Sequence, residues 1–568
     1  MKRKYGTKLV LLVLIFTLAF SQLLTACSSG ESSAPAGSDT TASSSGTSAS
    51  SSGEASLDGE KKELRIMVSK PANIENMNTN ETSLYFEEKT GVKVIYEEIS
   101  GEGVAEIVAL TLAGGDLPDA FLNCDIKSAQ ITQYGVEDKV LIQLDDLIEQ
   151  YGGNLKTAMD EAGMSMDLLK EVDGHIYGLP SLNPCFHCSR GLKMWLNDEW
   201  MQTLGLDYPT TTDEFYEVLK AFKEGDPNGN GLADEIPLTG DTDGWYTQSI
   251  NFLFYPYLYF TGYHQGFSMD GEGTIINSMS DERLREALRY INKLYSEGLI
   301  YEGTLTQKNE QMKKLVENPD APLVGAVTAG YGGQFASTIG DERYQMYRPL
   351  EPLKGPDGTQ YCLSVPQYPT QGAFVVTTAC EEPEVAMQWA NVLYTDESML
   401  NIFNGKEDAA WRWAEEGESD FNGEPAIWTA LIPYGGDVGK TRNDCWTQMG
   451  IFNFSAAMRM GQSIDPTTDP YSAEGMEYML HTTTRDLYEP YAHDELAFPL
   501  LKHTADELSE VTILRAEYDT YYSDMMFNFI SGKWDLDKDW QTHLDNLETY
   551  KVSRLLEIYQ TAYDRMYK

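Results

Sequence analysis

Alternating strand and helix patterns predict an α/β fold with a largely parallel sheet. Short apolar runs at residues 64–68, 92–96 and 120–122 read as strands. The stretches at 84–90 and 104–112, which separate these runs, have the spacing of helices. Strands that alternate with helices are typical of parallel sheets, whose connections cross a face of the sheet. Apolar residues make up 42% of the chain and charged residues 23%, which is the composition of a globular protein.

The charge of the chain excludes several classes of partner. It carries 88 acidic and 42 basic residues, so its formal net charge is −46 at pH 7. Nucleic-acid binding requires a basic surface that displaces counterions. Anionic lipid likewise attracts basic segments. The sequence therefore predicts no nucleic-acid partner and no contact with a membrane other than through an anchor.

The N-terminus has the pattern of an export signal that ends at a cysteine. Basic residues precede an apolar stretch at 9–20, which is too short to span a bilayer comfortably. Residues 24–27 read LTAC and resemble the lipobox of bacterial lipoproteins. The resemblance implies cleavage of residues 1–26 and attachment of lipid to Cys27, on the extracytoplasmic face of the cell membrane. The alternative is an ordinary secretory signal that contains this cysteine.

A tether and a folded body follow the signal. Residues 27–60 are dominated by Ser, Thr, Gly and Ala, a composition that buries little apolar surface and behaves as a flexible linker. Such a linker suits a soluble body that stands off from a membrane. We expect residues 61–568 to form that body.

Capping signals locate further helices in the body. Thr211 and Glu214 form a capping box that opens one helix. Ser280 is expected to cap a second helix, which Gly298 ends. The stretch at 540–567 has apolar residues at helical spacing and predicts a helical C-terminal region.

The loop at residues 226–235 has oxygen-bearing side chains at the spacing that calcium requires. It reads DPNGNGLADE and matches the first half of an EF-hand loop, D-x-[DN]-x-[DN]-G. The expected ligands are Asp226, Asn228, Asn230, the carbonyl of Leu232, Asp234 and Glu235. Position twelve is Pro237 instead of Glu, so the site is not a complete EF-hand. We expect one structural calcium ion; the alternative is a solvated Asn/Gly turn.

Four segments of the body carry a resemblance to a known family. They read AGGDLPDA at 113–120, GHIYGLP at 174–180, WLNDEW at 195–200 and EVAMQWA at 384–390. In this order they resemble the extracellular solute-binding proteins of family 1, the sugar-binding receptors of ABC importers. The loop at 226–235 is similar to that of the large lipoproteins in this family that handle complex oligosaccharides.

The resemblance implies a two-lobed α/β fold of the periplasmic-binding-protein type (type II), with hinge crossovers between the lobes. We expect one lobe at about 61–181 and 372–440, and the other at about 189–370 and 441–568. Ligand is held in the cleft of such proteins, and the lobes close around it by a hinge motion. The implied function is capture of an oligosaccharide and its delivery to ABC permease subunits. We expect a monomer.

Five side chains are candidates for contact with the sugar, which binds through aromatic stacking and hydrogen bonds to hydroxyls. Asn123 and Asp125 follow the third predicted strand, where the family often places a cleft carboxylate or amide. Trp245 lies in a loop rich in Gly and Asp, a poor place for a core aromatic. Tyr331 occupies a position where many relatives have a stacking Trp. Trp446 is the fifth candidate.

The sequence predicts a binding protein without catalytic residues. It contains no H-E-x-x-H, no G-x-S-x-G, no phosphate loop and no G-x-G-x-x-G. The alternative enzyme is a surface-tethered glycoside hydrolase or polysaccharide lyase, and a third class is an adhesin. Cys185 and Cys188 form a single C-x-x-C, for which a local disulfide or two free thiols is favoured over a redox or zinc site.

Overall fold

The computed structural model describes residues 62–100, 103–432, 441–447 and 449–568. These residues belong to one compact unit, Ser56–Lys568. The predicted signal, Cys27 and the whole of the predicted tether at 27–60 lie outside the described residues.

The described strands form two main sheets and two hairpins. Their bounds are β1 (Lys62–Ser69), β2 (Val92–Ile99), β3 (Ala120–Leu122), β4 (Leu179–Ser181), β5 (Lys193–Asn197), β6 (Phe267–Met269), β7 (Ile275–Asn277), β8 (Ala326–Ala329), β9 (Tyr347–Leu350), β10 (Thr370–Val376), β11 (Trp411–Trp413) and β12 (Trp428–Ala430). The hairpins are β6–β7 and β11–β12. The three strands predicted at the start of the body are confirmed as β1, β2 and β3.

The first sheet has five strands in the order β2-β1-β3-β10-β4. β1 pairs in parallel with both β2 and β3, whereas β10 is antiparallel to β3 and β4. The prediction of a largely parallel sheet therefore holds for one half of this sheet. A parallel neighbour requires a crossover connection on the same sheet. β10 arrives instead from the second sheet, far along the chain.

The second sheet has three strands in the order β8-β5-β9, and all of its pairs are antiparallel. Side chains of β5 alternate between its faces, as the period of a strand requires. Met194 and Leu196 pack on one face with residues of the C-terminal helices, and Trp195 packs on the other face with Val327.

Helices cover both sheets. Their bounds are α1 (Glu81–Thr90), α2 (Val104–Gly114), α3 (Ser128–Ile131), α4 (Asp145–Tyr151), α5 (Gly153–Glu161), α6 (Asp198–Leu204), α7 (Thr212–Glu224), α8 (Ser249–Phe252), α9 (Glu282–Ser296), α10 (Asn309–Val316), α11 (Glu342–Gln345), α12 (Pro383–Val392), α13 (Asp396–Phe403), α14 (Ala456–Met460), α15 (Met476–Thr483), α16 (Ala505–Ile530), α17 (Trp540–Thr549) and α18 (Val552–Tyr567). Among the described residues, none of these helices is both long and apolar enough to cross a bilayer.

The structure confirms one predicted helix cap and corrects another. The Thr211 capping box at the start of α7 is confirmed. Asp281, not Ser280, caps α9, because the Asp281 side chain accepts a hydrogen bond from the backbone N–H of Arg283. The C-terminal region divides into α17 and α18, and Lys551 adopts a positive φ of 56° at the break.

Each main sheet has its own core. The first core surrounds the five-stranded sheet, with residues such as Ile66 and Phe374 on one face and Phe121 on the other. The second core surrounds the three-stranded sheet and includes α7, α9 and α16–α18. Residues Trp446 and Met458 pack in the first core. This packing favours a lobe boundary later in the chain than residue 440, and the boundaries stay a prediction.

The chain passes between the two cores three times, at residues 182–192, 351–369 and 459–475. The first passage contains a disulfide between Cys185 and Cys188, whose Cα atoms are 5.1 Å apart. The sequence left this pairing open.

A buried ion pair also joins the two cores. Nζ of Lys502, on the loop that precedes α16, lies 2.7 Å from Oε1 of Glu171, and the two side chains are 3% and 1% exposed. Glu171 follows Leu169 of the first core, and Leu501 packs against the second core. Lys502 also donates to the side chain of Gln371 in β10. This pair ties the C-terminal region to the first sheet.

Candidate functional site

An aromatic-lined cavity lies on the second core, beside the second passage between the cores. Its volume is about 610 Å³, within the range of roughly 300–1,000 Å³ that is usual for small-ligand sites. The lining residues are Asp243, Gly244, Trp245, Tyr246, Thr261, Tyr263, His264, Leu363, Ser364, Val365, Pro366, Tyr368, Phe498, Pro499 and Leu500. Three separate segments of the chain therefore form one wall.

A buried carboxylate shapes the loop that carries Trp245. Oδ1 of Asp241 accepts hydrogen bonds from the backbone N–H of Gly244 at 2.7 Å and from the hydroxyl of Thr247 at 2.6 Å. Oδ2 of Asp241 accepts from the amide of Asn309 at 2.9 Å. Because Asp241 is 2% exposed, these bonds form away from water and fix the turn on both sides of Trp245.

Two glycines allow the rings of this loop to lie against the backbone. A Cβ atom at Gly330 would lie 2.1 Å from a ring carbon of Trp245, and one at Gly191 would lie 2.2 Å from a ring carbon of Tyr246. The backbone N–H of Gly330 also donates to the carbonyl of Trp245 at 3.1 Å. Any larger residue at these two positions displaces a ring of the wall.

The aromatic side chains form a continuous series. The ring centroid of Trp245 is 4.9 Å from that of Tyr246 and 6.0 Å from that of Tyr331. Tyr246 is in turn 5.2 Å from Tyr263, whose hydroxyl donates to Oε1 of Gln248 at 2.6 Å. Trp245 is 37% exposed, so part of its ring is accessible for stacking.

The polar groups of the wall are few. Asp243 carries a carboxylate that accepts from the backbone N–H of Asn309 at 2.8 Å. Burial, reinforced by the charge of Arg515, lowers the pKa of His264 to about 4, so its imidazole is neutral near pH 7. The hydroxyl of Thr261 donates to the carbonyl oxygen of Phe267. Behind the wall, the hydroxyl of Tyr259 donates to the carbonyl oxygen of Ser364. The wall is thus mainly apolar, with one acidic group at its edge.

The five predicted ligand contacts are not all brought together. Trp245 lines the cavity, and Tyr331 contacts Trp245 directly. Asn123 and Asp125 follow β3, at the edge of the first sheet, and do not line this cavity. Asp125 is exposed and forms an ion pair with Lys127.

Trp446 is a correction. Its side chain is 0% exposed, and its indole N–H donates to Oγ of Ser83 at 2.9 Å inside the first core. A fully buried ring has no face for a sugar, so Trp446 is a packing residue in this structure. Sequence reasoning missed Tyr263, His264, Tyr368 and Phe498, because an aromatic residue in sequence gives no sign of whether it faces a core or a cavity.

The loop at 226–235 curls as the sequence predicts. Asp226, Gly229 and Gly231 all have positive φ, at 50°, 68° and 72°. The Asp226 carboxylate accepts from the backbone N–H of Gly231 at 3.2 Å, and Oδ1 of Asn230 accepts from the N–H of Leu232 at 2.7 Å. These bonds turn side-chain oxygens toward the inside of the loop.

Asp234 accepts hydrogen bonds from two side-chain amides of this loop. The side-chain amides of Asn228 and Asn230 lie 3.2 and 3.1 Å from Oδ1 of Asp234. Oε1 of Glu235 is buried and has no hydrogen-bond partner among the described groups. Burial raises the pKa of Glu235, and the charges of Asp234 and Asp226 raise it further. A cation bound at Glu235 would relieve the repulsion from Asp234 and Asp226 and would satisfy the orphaned oxygen.

The chain matches a known family over more than half of its length. The sequence model described as bacterial extracellular solute-binding protein matches residues 69–400. The fructooligosaccharide ABC transporter substrate-binding protein FusA of Streptococcus pneumoniae serotype 4 is 25% identical over 542 residues, which cover 89% of this chain and 91% of FusA. Lipoprotein LipO of Bacillus subtilis is 25% identical over 62% of this chain and 66% of LipO.

Solved structures have the same fold. FusA in complex with kestose superposes with a TM-score of 0.71 at 22% identity, covering 89% of this chain and 99% of that chain. An EF-hand mutant of FusA with fructo-nystose gives 0.70 at 22% identity and the same coverage. An HMO-binding solute-binding protein from Bifidobacterium longum infantis gives 0.73 at 20% identity, covering 90% and 100%. Alginate-binding protein AlgQ2 without calcium ion gives 0.63 at 18% identity, covering 89% and 98%.

Proposed function

Because the chain belongs to the bacterial extracellular solute-binding protein family, we propose that it captures an oligosaccharide outside the cell and delivers it to an ABC permease. The similarity to FusA over 89% of this chain supports the oligosaccharide and the transporter, since FusA is named for both. The fold is that of two-lobed solute-binding proteins.

The observation that carries the proposal is the aromatic wall around Trp245. Sugar rings present C–H surfaces that stack on aromatic faces, and their hydroxyls accept and donate hydrogen bonds at the rim. A partly exposed Trp beside three Tyr residues supplies such faces over the length of a short oligosaccharide. The wall adjoins residues 363–368 of the second passage, where a ligand contacts the hinge region as well as the second core.

Delivery requires two conformations with different affinities. A receptor that gathers dilute sugar must bind tightly when closed and release the sugar when the permease stabilises the open form. Three passages between the two cores supply the hinge for such a change.

Incubation of the purified protein with an oligosaccharide panel tests binding against turnover. The proposal expects a thermal shift with at least one sugar, because a ligand that binds the folded form raises its melting temperature. It also expects that sugar to be recovered intact. New reducing ends without unsaturated products would assign the protein to the glycoside hydrolases, and new reducing ends accompanied by unsaturated non-reducing ends would assign it to the lyases.

We propose further that the loop at 226–235 holds one structural calcium ion. Asp226, Asn228, Asn230, the carbonyl of Leu232, Asp234 and Glu235 are the residues that would hold it. The orphaned Oε1 of Glu235 and the raised pKa of its carboxyl support a cation there. Solved structures of this fold include an EF-hand mutant of FusA and AlgQ2 without calcium ion, which supports calcium loops in proteins of this fold. The ion would fix the loop and take no part in chemistry.

We propose that Cys27 carries the lipid anchor and that the mature protein is a monomer on the extracytoplasmic face of the membrane. The LTAC motif and the Ser-rich tether support the anchor. LipO is named a lipoprotein, but its similarity covers only 62% of this chain. The LTAC motif therefore carries the argument for the anchor.

A further inference from the structure

We infer that the Trp245 cavity selects neutral oligosaccharides and rejects sugars that carry carboxylates. The inference rests on the proposed function, because it concerns the class of sugar that the same cavity would bind. The similar proteins leave this class open: FusA is described with kestose, a neutral sugar, and AlgQ2 as binding alginate, a polyuronate.

The ionised group on the cavity wall is acidic. Among the lining residues, all of which the structure describes, none is Lys or Arg, and Asp243 contributes a carboxylate. Nζ of Lys308 lies 3.5 Å from Oδ2 of Asp243. This ammonium already has a carboxylate partner, so the pair presents no net positive charge to a ligand.

Basic groups behind the wall are also occupied. Lys502, two residues after Leu500 of the wall, pairs with Glu171. Arg515, near His264, lies 2.9 Å from Oδ1 of Asp519 and also donates to the side chains of Gln265 and Tyr559. Arg190 lies next to Ser189, whose carbonyl accepts from the N–H of Val365 in the wall.

Arg190 is 4% exposed and pairs with two carboxylates, those of Glu489 at 3.2 Å and Asp494 at 2.9 Å. The imidazole of His264 stays neutral near pH 7, as its lowered pKa requires. A uronate carboxylate in the cavity therefore meets neither a free guanidinium nor an imidazolium.

The aromatic faces disfavour a carboxylate for a second reason. The face of an aromatic ring carries partial negative charge, which attracts C–H groups and repels anions. Trp245, Tyr246 and Tyr263 present such faces in one series. Neutral hexoses stack there with their C–H surfaces, whereas a uronate must lose water without gaining a counter-charge.

The whole molecule adds to this local effect. Its net charge of −46 creates a negative potential around the chain. Salt screens that potential beyond about 8–10 Å at physiological ionic strength. Charges close to the ligand, such as Asp243, are screened less. The preference for neutral over carboxylate-bearing sugars should therefore persist in salt, while the contribution of the overall charge to it weakens.

Calorimetry of the purified mature protein with matched sugars tests the inference. The panel contains neutral fructo-, galacto- and gluco-oligosaccharides, oligogalacturonates, oligoalginates, and each neutral sugar after oxidation of its primary hydroxyls to carboxylates. We expect at least one neutral sugar to bind and its oxidised form to bind at least about 100-fold more weakly. We also expect the oligogalacturonates and oligoalginates to give no measurable heat.

The outcomes separate the inference from the proposed function. A uronide that binds as tightly as the best neutral sugar overturns the inference and leaves oligosaccharide capture standing. A panel in which neither neutral nor acidic sugars bind overturns both.

A charge variant tests the part of Asp243 itself. Asp243→Asn removes the acidic group from the wall. It should reduce the ratio between the affinity for a neutral sugar and the affinity for its oxidised form by at least about threefold. Glu416→Gln makes an equal charge change at an exposed position outside the cavity and should leave this affinity ratio unchanged. An equal reduction of the affinity ratio in both variants would show that long-range charge governs selection. No reduction in the Asp243 variant would remove Asp243 from the account.

Discussion

Trp245 is the side chain on which binding should depend most at the scale of single residues. It combines a partly exposed face with a loop that Asp241 fixes and a backbone contact that Gly330 allows. Truncation therefore removes stacking area without opening a core.

Trp245→Ala should weaken binding of the best sugar by about 1–3 kcal/mol. The measurement is calorimetry on the purified variant. Trp413→Ala is the matched control, because Trp413 is also exposed, at 43%, and does not line the cavity. Equal affinity of the Trp245 variant and the parent protein would remove the stacking role.

The Gly/Asp-rich composition of its loop predicts that Trp245 lies outside a core, and the residue is 37% exposed in the cavity wall. Its contact with a sugar stays a prediction. Prediction from sequence failed for Trp446, whose burial depends on Ser83 and Phe86, more than 350 residues earlier in the chain. No local pattern records such a contact.

At the scale of elements, the loop at 226–235 should respond to calcium. Burial raises the pKa of Glu235 above its ordinary value of 4.5 in the metal-free protein. Between the pKa of Glu235 in the unfolded chain and its higher pKa in the folded metal-free protein, the folded protein therefore binds more protons than the unfolded chain. The contribution of Glu235 to the stability of the metal-free protein is therefore greatest at low pH and is lost as the pH rises through the pKa of the folded state.

Calcium must displace that proton, so it should raise the melting temperature more at about pH 7.5 than at about pH 4.5. Scanning calorimetry with calcium and with chelator measures both shifts. Glu235→Gln and Asp226→Ala should reduce the shift at the higher pH, and Glu416→Gln should not. A calcium shift that is the same in all of these variants would place the ion elsewhere.

The buried pair of Lys502 and Glu171 makes a second prediction for the elements that it joins. Lys502→Met removes the ammonium that pairs with Glu171 and should lower the free energy of unfolding by about 3–5 kcal/mol. Urea denaturation measures the change. The double variant with Glu171→Leu should recover part of that loss, because both charges are then gone.

The control for this prediction is an exposed pair of the same kind. Lys538 and Asp535 have side chains that are 79% and 44% exposed. Lys538→Met should change the free energy of unfolding by less than about 1 kcal/mol. Losses of equal size in the Lys502 and Lys538 variants would contradict a special role for the buried pair.

Element prediction from sequence was accurate for β1–β3 and for the start of α7, where periodicity and a capping box are local signals. It treated α17 and α18 as one helix, because their apolar spacing continues across the break at Lys551. The direction of β10 was not predictable, since it depends on the chain returning from the second sheet.

At the scale of the whole molecule, the proposed lipid on Cys27 would hold the body at the outer face of the membrane. Cys27→Ala should release the protein from membranes into the medium, because the variant has no thiol to carry the lipid. Fractionation and immunoblotting measure the distribution. Conversion of the neighbouring Ser28 to Ala is the control and should leave the protein with the membranes. A Cys27 variant that stays with the membranes would contradict the anchor.

The two-lobed fold itself was predictable because the family segments occur in order along the chain, and the family match covers residues 69–400. The cavity was not predictable, because it combines residues from 243–264, 363–368 and 498–500. Only the folded chain brings these three segments to one wall.

Titration calorimetry with a neutral oligosaccharide tests the central claim, capture without turnover, most directly. The account predicts heats that saturate at one sugar per protein, with no heat flow after saturation and with the sugar recovered intact. Heat flow that continues as long as sugar remains would show turnover and contradict the account.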